Sequence, residues 1–274
     1  MTEKRYHSKH CPYCATPYKT PTKYCETCGA EKLWTIKELG ATPYPWSPKT
    51  SFFLTILSYG LFTLLIFTIL FYYMVFLGIP FNSIFTVLTF DPLFMVLLTF
   101  SELVFILVPI AYVFSLKVSW KTLGFASGGL RTLFTDVSLG LLVGSACVPL
   151  IVALAFNELF GSGTPTPPPG PTDLFWVGMT LVTIILIVAP AEEVLFRGFL
   201  QNSLDAHYGR IGGVLVASVI FGVVHANPLI GVYQTIVGIF LGLLFQWRGR
   251  RLVAPIAAHA IYDCIIILLN AFVF

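Results

Sequence analysis

The stretch DLFWVGMTLVTIILIVAPAEEVLFRGFLQNSL, residues 173–204, decides how the rest of the chain is read. Its first part is an apolar run long enough to cross a hydrocarbon core of roughly 30 Å, for which about 20 residues suffice. Its second part sets Glu192, Glu193 and Arg197 into the same apolar helix, where each charge costs about 2.5 kcal/mol or more on insertion scales. Membrane helices keep such groups where they face a protein interior or a water-filled cavity and serve a function there.

The same reading extends along the chain. Of 274 residues, 57% are hydrophobic and 11% charged, well below the roughly 25% charge of a soluble domain. The expected fold is all-α, a polytopic transmembrane helix bundle of about seven spans, at residues 52–77, 92–116, 137–159, 173–204, 212–225, 228–247 and 252–271. Pro109, Pro149 and Pro190 are expected to kink their helices, and the short fifth span is open between being tilted, partly re-entrant, or joined to the sixth by the break at Asn227-Pro228. Phe-rich and Tyr-rich stretches are expected to face lipid or the interface. Three regions follow: a polar segment 1–50, a group of three spans in 51–172, and a core in 173–274. The opening residues MTEKRYHSKHCPYC lack a short apolar run, so the first span is expected to serve as the insertion signal.

Lys and Arg concentrate on the cytoplasmic side of membrane proteins. With seven crossings, all sixteen basic residues fall on one side: eight in the N-terminal tail, then Lys117, Lys121 and Arg131, then Arg197 and Arg210 flanking the fifth connection, then Arg248, Arg250 and Arg251. The Pro-rich loop GSGTPTPPPGPT and the other alternate loops carry none. The expectation is an integral protein of the plasma or cytoplasmic membrane with a cytoplasmic N-terminus. A net charge of +3 gives no reason to expect nucleic acid as a partner.

Four of the six cysteines form two CxxC pairs, Cys11/Cys14 and Cys25/Cys28. Two such pairs about ten residues apart can place four thiolates tetrahedrally around a structural Zn²⁺. In a segment too short to bury much core, the metal would supply most of the folding free energy. In a reducing cytoplasm, disulfides are the weaker alternative. A closed four-sulfur site leaves no open position for catalysis, so the ribbon is expected to be structural or to recruit a protein partner. His7, His10 and His207 are read as solvated, and Cys147 and Cys264 as small buried side chains.

The chemistry lies in the apolar segments. Glu193 and Arg197, four apart, share a helix face and can pair, whereas Glu192 points about 100° away. Phe221-Gly-Val-Val-His225 and His259-Ala-Ile-Tyr-Asp263 add two imidazoles and a carboxylate on two further helices. Counted at about 1.5 Å per residue from the expected cytoplasmic ends, Glu192, His225 and His259 lie at comparable depths, provided the fourth helix runs on past Arg197.

In order, the patterns EExxxR, FxxxH and HxxxD resemble the CAAX protease and bacteriocin-processing family of intramembrane proteases, also called Abi-like or type II CAAX prenyl endopeptidases. The resemblance covers about residues 173–271. It implies an intramembrane endopeptidase acting on membrane-anchored or hydrophobic peptides, with Glu192 as general base, His225 helping to hold and activate water, Glu193 with Arg197 bracing the site, and His259 with residue 263 stabilising the oxyanion. Many relatives carry Asn at the position of Asp263. An ionised carboxylate cannot donate to an oxyanion, so here Asp263 is expected to orient His259. Two mechanisms stay open: Glu192, His225 and His259 as ligands of a catalytic divalent metal, or metal-free activation of water by the same groups.

Other functions fit the same residues. Intramembrane Glu and His can relay protons in a coupled transporter, and the chain can be a catalytically silent immunity or scaffold protein whose polar groups only hold helices together. Glu102, inside the second span, is open between a helix-packing hydrogen bond and a place in the substrate cavity.

Overall fold

The computed structural model describes residues 45–80, 92–125, 129–159, 174–225 and 228–272. Every regular element among them is helical. Cys11, Cys14, Cys25 and Cys28, with the expected zinc ribbon, lie outside the described residues, as does the Pro-rich loop.

Helix α1 (Pro48–Phe76) starts ahead of the expected residue 52 because its cap lies there. The Ser47 hydroxyl accepts from the Thr50 N–H at 3.1 Å, and Pro48 occupies the first turn, where its missing N–H costs nothing. Phe53, Leu64, Phe67 and Phe71 on its outer surface are at least 60% exposed, an apolar face suited to lipid. The expected second span is two helices, α2 (Pro92–Ser101) and α3 (Val104–Ser115). At Glu102 and Leu103 the backbone tightens to three-residue hydrogen bonds, Glu102 N–H to Thr99 and Leu103 N–H to Phe100. A short 3₁₀ turn, Trp120–Leu123, leads towards α4 (Gly129–Leu159).

The central run comprises α5 (Leu174–Thr183), a π turn at Ile184–Val188, α6 (Ala189–Glu193), a second π turn at Val194–Gln201, and α7 (Asn202–Val223). Pro190 has no N–H for the carbonyl four residues back, and the widened turn before it accommodates that loss. The run passes Arg197 without a break and reverses at Gly209, whose φ of 78° and ψ of 167° suit glycine almost alone. Beyond that point the chain doubles back, bringing the Phe221 ring to 4.9 Å from that of Phe196. Helices α8 (Pro228–Trp247) and α9 (Val253–Phe272) complete the described chain.

Five stretches among the described residues are long and apolar enough to cross a membrane: Pro48–Phe76, Val96–Ser115, Gly129–Val148, Val177–Val223 and Ile230–Trp247. Val253–Leu269 is apolar but shorter. The expected fourth and fifth spans thus form one run folded at Gly209, and this merger together with the shorter last helix separates the seven-span expectation from the count of five by length. The chain is an integral membrane protein.

Small residues set where α9 sits. Gly140 and Gly144 of α4 lie directly against Ala254, Ala257 and Ala258 of α9, and a methyl on Gly144 would collide with the Ala258 carbonyl. Close approach of backbones through small residues is the usual way helices associate where hydrophobic burial offers no net drive. His259, the next residue, is placed by this contact.

Polar pairs close one end of the bundle. Asp136 holds both Arg248 and Arg251, while Asp205 binds Arg250 and the amide of Gln246, each at 3.0 Å. The Leu252 N–H donates to the Gly124 carbonyl, Asn202 to that of Thr122, and the Trp46 indole N–H to that of Phe199. The basic connections expected on one face of the membrane therefore meet at one end. Arg197 is not among them: it is fully buried, so it drops out of the loop-charge pattern.

Candidate active site

Glu192 and Glu193 occupy the short α6 between the two π turns, and Arg197 the second of those turns. Adjacent residues on a helix face different ways, and here the two carboxylates part accordingly. The Glu193 side chain is fully buried, whereas that of Glu192 keeps 12% exposure. Glu193 is shared, with Oε2 lying 3.1 Å from Arg197 Nε and Oε1 3.0 Å from His259 Nδ1. The terminal nitrogens of Arg197 have no hydrogen-bond partner among the described residues. Its guanidinium instead lies 4.9 Å from the centroid of the Phe221 ring, a cation–π contact.

His259 is the meeting point. Its Nε2 is 3.3 Å from Asp263 Oδ2 and 3.6 Å from Glu192 Oε2, while Nδ1 faces Glu193. Both ring nitrogens thus face carboxylate oxygens, the arrangement of a doubly donating imidazolium. The expected pairing of His259 with Asp263 is present, as is that of Glu193 with Arg197. The bond from His259 to Glu193 was not foreseen. Spacing along one helix identifies neighbours on that helix and is silent about partners on another.

His225 follows α7 in its terminal turn, with Nδ1 2.7 Å from the Phe221 carbonyl. A carbonyl only accepts, so Nδ1 donates, and Nε2 is the acceptor when the ring is neutral. The His225 and His259 rings stand at 4.9 and 5.8 Å from the Phe221 ring, each edge to face. Phe221 therefore joins Arg197 and both histidines, a role the FxxxH spacing alone does not reveal.

Two residues from the first helices reach the same region. Glu102, at the α2–α3 break, lies within electrostatic range of Glu192, Asp263 and His259. Tyr59 of α1 lies within range of Glu102 and Glu192. No side-chain hydrogen bond to the buried Oε2 of Glu102 is present among the described residues.

Glu192, His225 and His259 are not arranged as a metal-binding set, and no group of three His, Cys, Asp or Glu side chains among the described residues is. The Nδ1 atoms of both histidines are held by the Phe221 carbonyl and Glu193, which leaves Nε2 as the nitrogen each ring can turn to a water molecule or a cation.

No solved structure matches the chain. A Bacillus subtilis (strain 168) protein named uncharacterized protein YpbD is 34% identical over 89 residues, which is 31% of this chain and 42% of that protein. The chain thus spans less than half the length of that relative. Residues 174–265, which carry Glu192, Glu193, Arg197, His225, His259 and Asp263, match the family model described as type II CAAX prenyl endopeptidase Rce1-like, and it is this family that the site-bearing part of the chain resembles.

Proposed function

We propose that the chain is an intramembrane endopeptidase that hydrolyses peptide bonds of membrane-anchored or hydrophobic substrates, possession of a prenyl group being one substrate option that the family's description suggests. The observation that carries this reading is the split between the paired glutamates: Glu193 is locked between Arg197 and His259, while Glu192 stays partly open beside His259. In the proposed reaction, Glu192 removes a proton from a water molecule and the resulting hydroxide attacks the peptide carbonyl carbon. His225 Nε2 accepts a hydrogen bond from that water. Glu193 fixes the His259 ring through Nδ1, and the single Nε2–H, which Asp263 holds before substrate arrives, turns to the developing oxyanion. Collapse breaks the C–N bond, and the proton held by Glu192 passes to the leaving amine.

A metal at Glu192, His225 and His259 would need those side chains to rearrange, so the steps above use protein groups alone. The zinc ribbon at Cys11, Cys14, Cys25 and Cys28 remains part of the proposal as a structural or recruiting module, and the end closed by Asp136 and Asp205 is assigned to the cytoplasm.

The deciding experiment reconstitutes the full chain in vesicles with a quenched lipidated peptide and compares it with Glu192→Ala. Cleavage by the wild type and loss in the variant support the assignment; equal cleavage by both removes Glu192 as base. Proton flux that vanishes in Glu192→Ala, with no cleavage by either protein, would assign transport instead.

A further inference from the structure

A cavity of about 480 Å³ lies between α1 and the returning leg of α7. Phe52, Ile56, Val219 and Val223 form an exposed rim, while Tyr59, Ile220 and Val224 form a floor packed against the buried core. Residues 52, 56 and 63 recur at helical spacing, so one stripe of α1 faces this cleft. The stripe adjoins Phe53 and Phe71 on the outer surface of α1, which makes the cleft a recess in the face suited to lipid. Its floor backs onto the candidate site. Val224 directly precedes His225, and the Tyr59 ring lies 6.1 Å from that of Phe196, which in turn meets Phe221 at 4.9 Å.

Gly60 supplies a second observation. It lines the cleft, yet a methyl built on it would meet no atom within 4 Å. Gly144 and Gly222 differ, because a neighbouring backbone lies directly against each of them. Glycine is among the weakest helix formers, and no such contact accounts for it in the middle of α1; its smallness keeps the recess deep. The walls then narrow the choice of occupant. Thr55, Tyr59 and Thr63 are the polar lining residues, and the Thr55 hydroxyl already donates to the Ser51 carbonyl at 2.8 Å. An extended peptide would leave backbone N–H and C=O groups facing apolar walls, and a helix about 10–12 Å across would rest on the rim. A hydrocarbon chain needs no polar partner and fills the space through dispersion contacts.

The bilayer supplies such a chain at the open side of the cleft, in continuity with the outer face of α1. We infer that the cleft is a lipid-binding site that seats an acyl chain of a bilayer phospholipid, laid along Gly60 with its inner side against Tyr59 and Val224. The chain completes the packing of α1 against the leg of α7 that carries Phe221 and leads to His225. This site does not rest on the peptidase reading, since it is built from the shape and chemistry of the cleft alone.

The test places the full chain in phosphatidylcholine vesicles doped with phosphatidylcholine that carries a diazirine within one acyl chain, and maps the adducts by mass spectrometry after irradiation. Labelling is expected at residues 56–63 and 219–224 at a level at least about fivefold above that at Phe53 and Phe71, as a seated chain exceeds passing lipid. Gly60→Leu fills the recess where no protein atom stands in the way. It is expected to lower the cleft label by at least about fivefold, with Phe53 and Phe71 unchanged, whereas Gly60→Ala stays within about twofold of the wild type. Labelling of the wild-type cleft no stronger than that of Phe53 and Phe71 overturns the inference, whether or not a variant folds. So does a cleft label that survives in Gly60→Leu. A diazirine-bearing lipidated peptide that labels the cleft where the phospholipid does not would also overturn it, and would assign the space to the anchor of a substrate.

Discussion

Glu193 and Arg197 cannot be exchanged singly without removing one of the charge partners in a dry interior. Arg197→Met leaves Glu193 with His259 as its remaining partner, and breaking a buried pair this way typically costs about 3–5 kcal/mol. Thermal unfolding in detergent is expected to show a large loss for Arg197→Met, and a smaller one when Glu193→Gln is added, because the stranded charge is then gone. Glu192 and Asp263 should separate by activity. A general base is worth about 10²–10⁴-fold in rate, so Glu192→Gln should lose about that much turnover of the lipidated peptide. Asp263→Asn still offers an oxygen to His259 Nε2 and is expected to lose less than about tenfold. A comparable loss in both would mean that Asp263 has more than an orienting role.

Among the elements, the α4–α9 contact has the least tolerance. Gly144→Leu would drive a side chain into the Ala258 carbonyl, and overpacking of this kind costs about 1–3 kcal/mol or more. Because Ala258 precedes His259, activity on the peptide should fall further than the loss of stability alone explains. The turn at Gly209 is a different kind of constraint: Gly209→Ala imposes a Cβ on a backbone region that is almost exclusive to glycine, for about 1–3 kcal/mol, with the site's own residues untouched. Hydropathy and loop charge made most of the helices legible, including the reversal near residues 205–211. The α2–α3 break and the π turns were not, because hydropathy records how apolar a segment is and carries no information on its hydrogen-bond register. The site residues stood out because ionisable groups are conspicuous in apolar helices. Partners such as Tyr59 and Glu102 stayed hidden, since only packing brings those helices to the same place.

At the scale of the whole molecule, Asp136 and Asp205 gather the Arg248–Arg251 connection at one end. Reporter fusions or cysteine labelling are expected to place residues 117–125 and 248–252 in the cytoplasm and residues 160–172 outside; the opposite result would invert the proposed orientation. The first described residues belong to this end as well. Trp46 is almost fully buried, stacks on Phe199 and hydrogen-bonds its carbonyl, so the segment before α1 is tied to the run that carries Glu192.

The bond between Glu193 and His259 joins residues sixty-six positions apart. A ribosome adding about 5–20 residues per second delivers the carboxylates seconds before the imidazole. During that interval Glu193 has Arg197 but lacks its second partner, the imidazole of His259. The biogenesis of this site thus has its own delay: on the proposed peptidase reading, hydrolysis would wait until α9 docks.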